Sequence, residues 1–470
     1  MADDTLCWMS ATELGATIRR RKVSPVEVMD AVLARIERLN PALNAYCTVT
    51  AEFARKEAKA AERQLMKRGA RPGPLHGVPF SVKDTIITKG VRTTSGSKLF
   101  AEQVPAEDAP AVERLKAAGA ILVGKTNTPA FGHLGVTHNL LFGVTRSPWS
   151  LDLTPGGSSG GAGAAVAAGM APLAVGTDGG GSIRIPGSFS GIFGLKPSFG
   201  RVPVYPYSAA WSVSHAGPMT RTVRDAALML SVMAGPDERD ATSLPGARAD
   251  FTKFLKGNLR GLRVAWSPTL GYAVVDPEVL AVTERAVRRW KEFGCRVEQV
   301  DPGFPDMREA WEVIFCGGLG ARLAPSFPER RADLDPGLIR IIEESQKWPA
   351  AKYVQAWFDR LDFWERVRKF FAGYDLLLTP TMPCPPFKVG LEGPGSIAGK
   401  PVSTYEWIPF TFPFNLTGQP ACTVPCGFTK SGLPIGLQIV GRRFDDATVL
   451  RAAARFEAAQ PWVGTRPPVS

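Results

Sequence analysis

The sequence predicts an α/β protein, a layered body in which helices cover both faces of a central sheet. Three observations lead there. Short apolar runs of strand length alternate with amphipathic helical stretches along most of the chain, a pattern that places strands between helix layers. Of 470 residues, 44% are hydrophobic and 21% charged, enough apolar material for a large core. The 48 glycines and 40 prolines predict many turns, yet stay below the share that marks a disordered chain.

Taken in order, the chain opens with two helix starts. Ser10 with Glu13, and Ser24-Pro25 with Glu27, each fit a capping box, and the second also has proline at the first helical position. Val28, Val32, Ile36 and Leu39 then form one apolar face. A charged helix over about residues 51–67 ends at Gly69, so residues 1–70 read as a helical layer.

Residues 75–84 read as a short strand with Lys83 near its end, where a lysine by itself points to solvent. Asp108 with Pro110 predicts a helix to about Ala118, followed by a buried strand over residues 120–123. Gly119 to Thr126 has the spacing of a phosphate-binding loop, but Ile121, Leu122 and Val123 fill the arc where glycines belong. It also follows a helix rather than a strand, so it is the strand itself.

The segment from Thr154 to Pro197 carries the densest chemistry. Ser158 and Ser159 precede a run of small apolar residues, which places them at a helix N-terminus where unpaired N–H groups collect. Leu173 to Val175 is a short buried strand. Gly179, Gly180 and Gly181 follow Asp178 and let the backbone turn its N–H groups inward beside Ser182. A serine at the end of an N–H-lined turn suits a nucleophile next to which an oxyanion forms. The plain alternative is a flexible glycine linker, against which stand the apolar strand and helix signals on both sides.

Further strands are predicted at residues 193–196, 260–266, 295–300, 374–378 and 432–441. Helices are predicted from Thr222 with Asp225 to Met233, and over residues 276–293, 351–371 and 447–458. Two segments are aromatic and irregular: Tyr205 and Tyr207 with Trp211, and residues 405–414 with Trp407, Phe410, Phe412 and Phe414. They read equally as core or as the wall of an apolar substrate pocket.

Net charge is +12, which raises nucleic acid or anionic lipid as partners. The densest cluster is Arg19, Arg20, Arg21 and Lys22. Lys56, Lys59, Arg63, Lys67 and Arg68 are mixed with acids at helical spacing and read as a solvated helix face, so neither a nucleic acid nor a membrane partner is expected. Seven scattered cysteines read as free thiols in a reducing, cytoplasmic setting, and Cys422 with Cys426 lacks the second pair that a zinc site needs. No apolar leader and no run of 18 apolar residues occurs.

Gly156-x-Ser158-x-Gly160 and Gly157-x-Ser159-x-Gly161 match the nucleophile-elbow pattern of Ser-His esterases. That chemistry needs a later histidine, and of His76, His133, His138 and His215 only the last follows the serines.

At these residues the chain resembles the amidase signature family. The resemblance covers Gly156 to Pro197 closely. It extends to Gly77-Val-Pro-Phe-Ser-Val-Lys83-Asp84, to Gly124-Lys-Thr-Asn127 and to Gly436-Leu-Gln-Ile-Val-Gly441. It implies one amidase domain over residues 1–470 with a mixed central sheet flanked by helices on both faces, and a more variable region at about 240–400 beside the substrate entrance.

It also implies a catalytic set of Lys83, Ser158 in a cis peptide, and the nucleophile Ser182, spaced 75 and 24 residues apart. Ser159, Thr177, Asp178 and Arg184 match positions that support the relay and the turn, with the oxyanion held around Gly179, Gly180, Gly181 and Ser182. The physics is coherent without histidine, metal or organic cofactor: burial lowers a lysine's pKa from about 10.4 toward the working pH and makes it a base. One departure is Ala130, where relatives carry a polar residue; it bears on pocket shape.

The expected function is hydrolysis of a neutral, fairly apolar amide, anilide or carbamate through an acyl-enzyme on Ser182. Phe131, Tyr205, Tyr207, Trp211, Trp407 and Phe410 are the pocket candidates, and a homodimer is an open expectation. Two rivals remain: the glutaminase-like A subunit of a tRNA-dependent amidotransferase, which needs a partner protein, and the Ser-His esterase.

Overall fold

The computed structural model describes residues 4–469. Eleven strands form one sheet: β1 Tyr46–Val49, β2 Pro79–Lys83, β3 Ile121–Thr126, β4 Leu173–Asp178, β5 Phe193–Lys196, β6 His215–Thr220, β7 Arg263–Trp266, β8 Arg296–Gln299, β9 Leu376–Pro380, β10 Ala421–Phe428 and β11 Pro434–Gly441. Their spatial order is β1-β3-β2-β4-β6-β5-β10-β11-β9-β7-β8. The sheet is mixed. The β3-β2-β4 and β9-β7-β8 neighbours run parallel, and the strands from β4 through β6, β5, β10 and β11 to β9 pair antiparallel.

Side-chain alternation on the central strands explains why helices lie on both faces. Along β3, Ile121 and Val123 enter a core cluster with Met29, Val32 and Ile36, whereas Leu122 enters the main cluster with Leu14, Val112 and Leu115. A strand buried on both sides reads as a continuous apolar run, as this one does. The covering helices include α1 Ala11–Arg19, α2 Pro25–Leu43, α3 Ala51–Met66 and α4 Pro110–Ala117. Both expected capping boxes form, Ser10 with Glu13 and Ser24 with Glu27.

Next come α5 Gly160–Ala167, α6 Arg184–Ser190, α7 Val223–Met233, α8 Pro277–Arg288, α9 Arg308–Leu323, α10 Pro336–Ser345, α11 Ala350–Gly373 and α12 Asp446–Ala459. Thr222 caps α7 as expected, but Asp225 reaches away to Thr12 and the backbone of Ala11, tying α7 to α1. Asp108 does not cap α4; Ala109 holds that position, and Asp108 pairs with Lys116 and accepts from the Lys89 N–H.

Several elements escape the sequence pattern. The N-terminal layer is not wholly helical, because β1 pairs with β3 at the sheet edge. Strand β6 carries Gly217 and Pro218, and β10 carries Pro425 beside a register shift, residues that argue against strands. Helix α6 contains Pro186 and Gly187. Helices α9 and α10 are also absent from the sequence reading.

Candidate active site

Strands β2 and β4 run parallel and adjacent, with Val82 opposite Val175, so their carboxyl ends finish side by side. Crevices at such strand ends are where open α/β sheets bind ligands. Lys83 ends β2, and Thr177 and Asp178 end β4. The turn before α5 supplies Ser158 and Ser159, and the glycine turn after β4 supplies Ser182.

Lys83 is wholly buried. Its Nζ lies 2.6 Å from Ser158 Oγ and 2.9 Å from Thr177 Oγ1. Burial strips hydration from the ammonium and brings its pKa down to about 7, against the opposing pull of Asp178. A lysine that local sequence sends to solvent is thus fully enclosed, because β2 is an interior strand flanked by β3 and β4.

The Gly157–Ser158 peptide is cis, as the resemblance implies. Ser159 joins three pieces. Its Oγ donates to the Thr177 carbonyl at 3.1 Å, accepts from the Thr177 N–H at 3.3 Å, and its N–H donates to the Ser182 carbonyl at 3.1 Å. Helix α5 can approach this closely because its first residues lack side chains. A Cβ on Gly161 would sit 2.4 Å from the Asn127 nitrogen and 2.5 Å from the Ala45 carbonyl oxygen.

Of the two expected links, Lys83 to Ser158 is made. Ser182, half-buried, has a hydroxyl that forms no hydrogen bond among the described residues, so Ser158 to Ser182 is not made. Asp178 and Arg184 lie beneath the turn, both fully buried, with Arg184 donating to both carboxylate oxygens at 2.8 and 3.0 Å. Burial alone would raise the Asp178 pKa, but Arg184 overrides it and holds the carboxyl well below its ordinary range. Asp178 also accepts from the Gly181 N–H at 2.8 Å, so of the four expected oxyanion donors Gly181 is already spent, while the N–H groups of Gly179, Gly180 and Ser182 have no partner among the described residues.

Residues far off in sequence complete this layer. Arg184 donates to Asn415 Oδ1 at 2.7 Å, Gln438 Oε1 at 2.8 Å and the Thr411 carbonyl at 2.9 Å. Gly180 accepts from Thr411 Oγ1 at 2.6 Å, and Gly179 from the Trp311 indole at 2.9 Å. No local motif flags Trp311, Thr411 or Asn415, and the Gly436–Gly441 run that contains Gln438 does not point to this role; only folding brings them here.

The esterase reading fails on geometry. His215 is buried on β6, with Nδ1 at 2.8 Å from the Val213 carbonyl and Nε2 at 3.3 Å from Lys196 Nζ, and it contacts neither serine. Burial and the Lys196 charge push its pKa well below the usual imidazole value.

The aromatic candidates separate. Trp407 and Phe410 are fully buried, Trp407 stacking on Phe189 at 6.2 Å. Tyr207 and Trp211 are 67% and 48% exposed. Tyr205 donates to Glu107 near the surface. Phe131 is the chain neighbour of Gly132, where a Cβ would come 3.1 Å from Ser158 Oγ, and its own ring packs edge-on against Phe100 at 5.6 Å.

The rings packed against the glycine turn are Trp311 and Phe315, both buried. A Cβ on Gly180 would lie 2.4 Å from Trp311, and one on Gly179 would lie 3.0 Å from Phe315. Ala130 is buried, and its carbonyl accepts from His133 Nδ1 at 2.8 Å. His133 borders a cleft of about 320 Å³ with Cys316, Tyr405, Glu312 and Arg340. Elsewhere, folding groups Arg19 and Arg21 with Lys67 and Arg68 around one cleft, a basic surface that sequence order conceals.

The family model described as Amidase matches residues 27–450. An acylamidase of Rhodococcus erythropolis is 40% identical over 99% of this chain and 98% of its own length. The A subunit of the glutamyl-tRNA(Gln) amidotransferase of Moorella thermoacetica is 38% identical over 98% of this chain and 99% of its own. Among solved structures, a bacterial aryl acylamidase of the amidase signature family superposes with a TM-score of 0.91 at 34% identity, covering 97% of each chain. Coverage of this extent, on a mixed sheet whose strand ends gather Lys83, Ser158 and Ser182, means that the chain belongs to the amidase signature family and is an amidase, a hydrolase of carbon–nitrogen bonds.

Proposed function

We propose that the substrate is an acyl amide of an aromatic amine, cleaved through an acyl-enzyme on Ser182. The observation that carries the catalytic part is the 2.6 Å contact between a wholly buried Lys83 and Ser158. In its charged form Nζ donates across that distance, and in its neutral form it accepts the Ser158 proton. Ser158 then takes the proton of Ser182, a link that forms by rotation about the Ser182 Cα–Cβ bond when substrate is bound. Ser182 Oγ attacks the amide carbonyl, and the N–H groups of Gly179, Gly180 and Ser182 receive the oxyanion. Ser158 returns the proton to the leaving amine, and water cleaves the ester by the reverse path.

The substrate part is supported by the kinship with acylamidases, one of them an aryl acylamidase. The region of about residues 240–400 we assign to the substrate entrance, within a single amidase domain. Turnover of para-nitroacetanilide, compared with short aliphatic amides, tests it. Preference for the aliphatic amides overturns the aryl assignment. The 38% identity to one component of an amidotransferase keeps a second reading in view. Glutamine hydrolysis that appears only on adding a partner protein favours that reading over stand-alone amide hydrolysis.

A further inference from the structure

Resting on the assignment of Ser182 as nucleophile, we propose that Trp311 is a positioning residue that keeps the Gly180 N–H, on the donor face of the Gly179–Ser182 turn, toward the substrate. Within one trans peptide unit the carbonyl and the N–H point in opposite directions, so fixing one fixes the other. Every carbonyl of this turn is held from outside the site. Asp178 O accepts from Asn415 Nδ2 at 2.9 Å, Gly179 O from Trp311 Nε1 at 2.9 Å, Gly180 O from Thr411 Oγ1 at 2.6 Å, and Gly181 O from the Ile185 N–H at 2.7 Å. Among the described residues the N–H groups of Gly179, Gly180 and Ser182 are left unspent, facing the other way, whereas the Gly181 N–H is spent on Asp178.

Such latches are needed because the turn does not hold itself. Glycine accepts almost any backbone conformation, so three in succession can flip a peptide plane at little steric cost. A flip of the Gly179–Gly180 unit would replace the Gly180 N–H with the Gly179 carbonyl and turn an oxyanion donor into a repelling acceptor.

Trp311 opposes that flip in two ways. Its indole holds the Gly179 oxygen, and its ring lies so close to Gly180 that a Cβ there would meet it at 2.4 Å. The ring is itself immobilised, stacked on Phe315 at 4.9 Å and Phe412 at 5.6 Å, with Tyr405 edge-on at 5.3 Å. Much of the aromatic segment around residue 411 therefore acts behind the turn rather than on the substrate.

The test is steady-state kinetics on para-nitroacetanilide with Trp311→Phe, which keeps the stacking and removes the N–H. Expected is a loss of about 10- to 100-fold in kcat for Trp311→Phe, with KM within about threefold. An aryl boronic acid, which forms a tetrahedral adduct on the nucleophile, weakens in step with kcat, whereas inhibition by the product para-nitroaniline is unchanged.

Parent-like kcat in Trp311→Phe overturns the proposal, as does an equal loss of affinity for boronic acid and para-nitroaniline, which marks general loosening. Ser182→Ala is assayed alongside. If it keeps turnover, the nucleophile assignment has failed; if it is inactive while Trp311→Phe is silent, only the latch has failed.

Discussion

Lys83 Nζ and Ser158 Oγ stand 2.6 Å apart on neighbouring parts of the sheet's carboxyl edge, with 0% and 2% of their surfaces exposed. An amine so enclosed loses most of its reason to stay charged near neutrality. The first two consequences below follow from that.

Activity should depend on the free base of Lys83. With a pKa of about 7, kcat/KM rises as pH passes through about 7 and levels off above it. A pH–rate profile checks this, and a profile flat from pH 5 to 9 would falsify it.

The same shift makes stability depend on pH. The folded pKa lies below the ordinary lysine value of 10.5, so between about 7 and 10.5 the unfolded chain binds the extra proton and stability rises with pH. The penalty is fully present below about 7, and its size is on the order of 5 kcal/mol. Lys83→Met should therefore be more stable than the parent at pH 6, with the gap closing toward pH 10. Urea unfolding at both pH values reads it out.

Relay members should act as a unit. Lys83→Ala and Ser158→Ala each lower kcat by at least about a thousandfold, and the double variant costs little more than the worse single one. Strict additivity in single-turnover rates would mean that the two side chains work independently.

Beneath the turn, the Asp178–Arg184 pair is fully buried, and removing one partner strands the other's charge. Arg184→Met should cost about 3–5 kcal/mol of stability. Arg184→Lys recovers little of it, because an ammonium cannot serve both Asp178 oxygens together with Asn415 and Gln438. Chemical denaturation with both variants decides the matter.

Sequence periodicity was a sound guide wherever burial repeats regularly. The capping boxes at Ser10 and Ser24, the run at residues 121–123 and the closing β11 and α12 all follow from local propensity and alternation. It failed where proline or glycine sits inside an element, as in β6, β10 and α6, because there cross-strand pairing and packing outweigh local preference. Those same elements carry His215, which geometry removes from the chemistry, and Arg184, which geometry ties to Asp178.

By itself the order of residues determined the layered α/β class, the family resemblance and the three hydroxyl- and amine-bearing candidates, since motifs are contiguous and strand and helix periods are local. Only the tertiary structure decided which of them meet. It enclosed Lys83 against Ser158, spent the Gly181 N–H on Asp178, and sent Tyr207 and Trp211 to the surface and Trp407 into the core. It also delivered Trp311, Thr411, Asn415 and Gln438 to the turn. Contacts between residues more than a hundred positions apart depend on how strands are ordered across the sheet, and that order is a property of the packed whole.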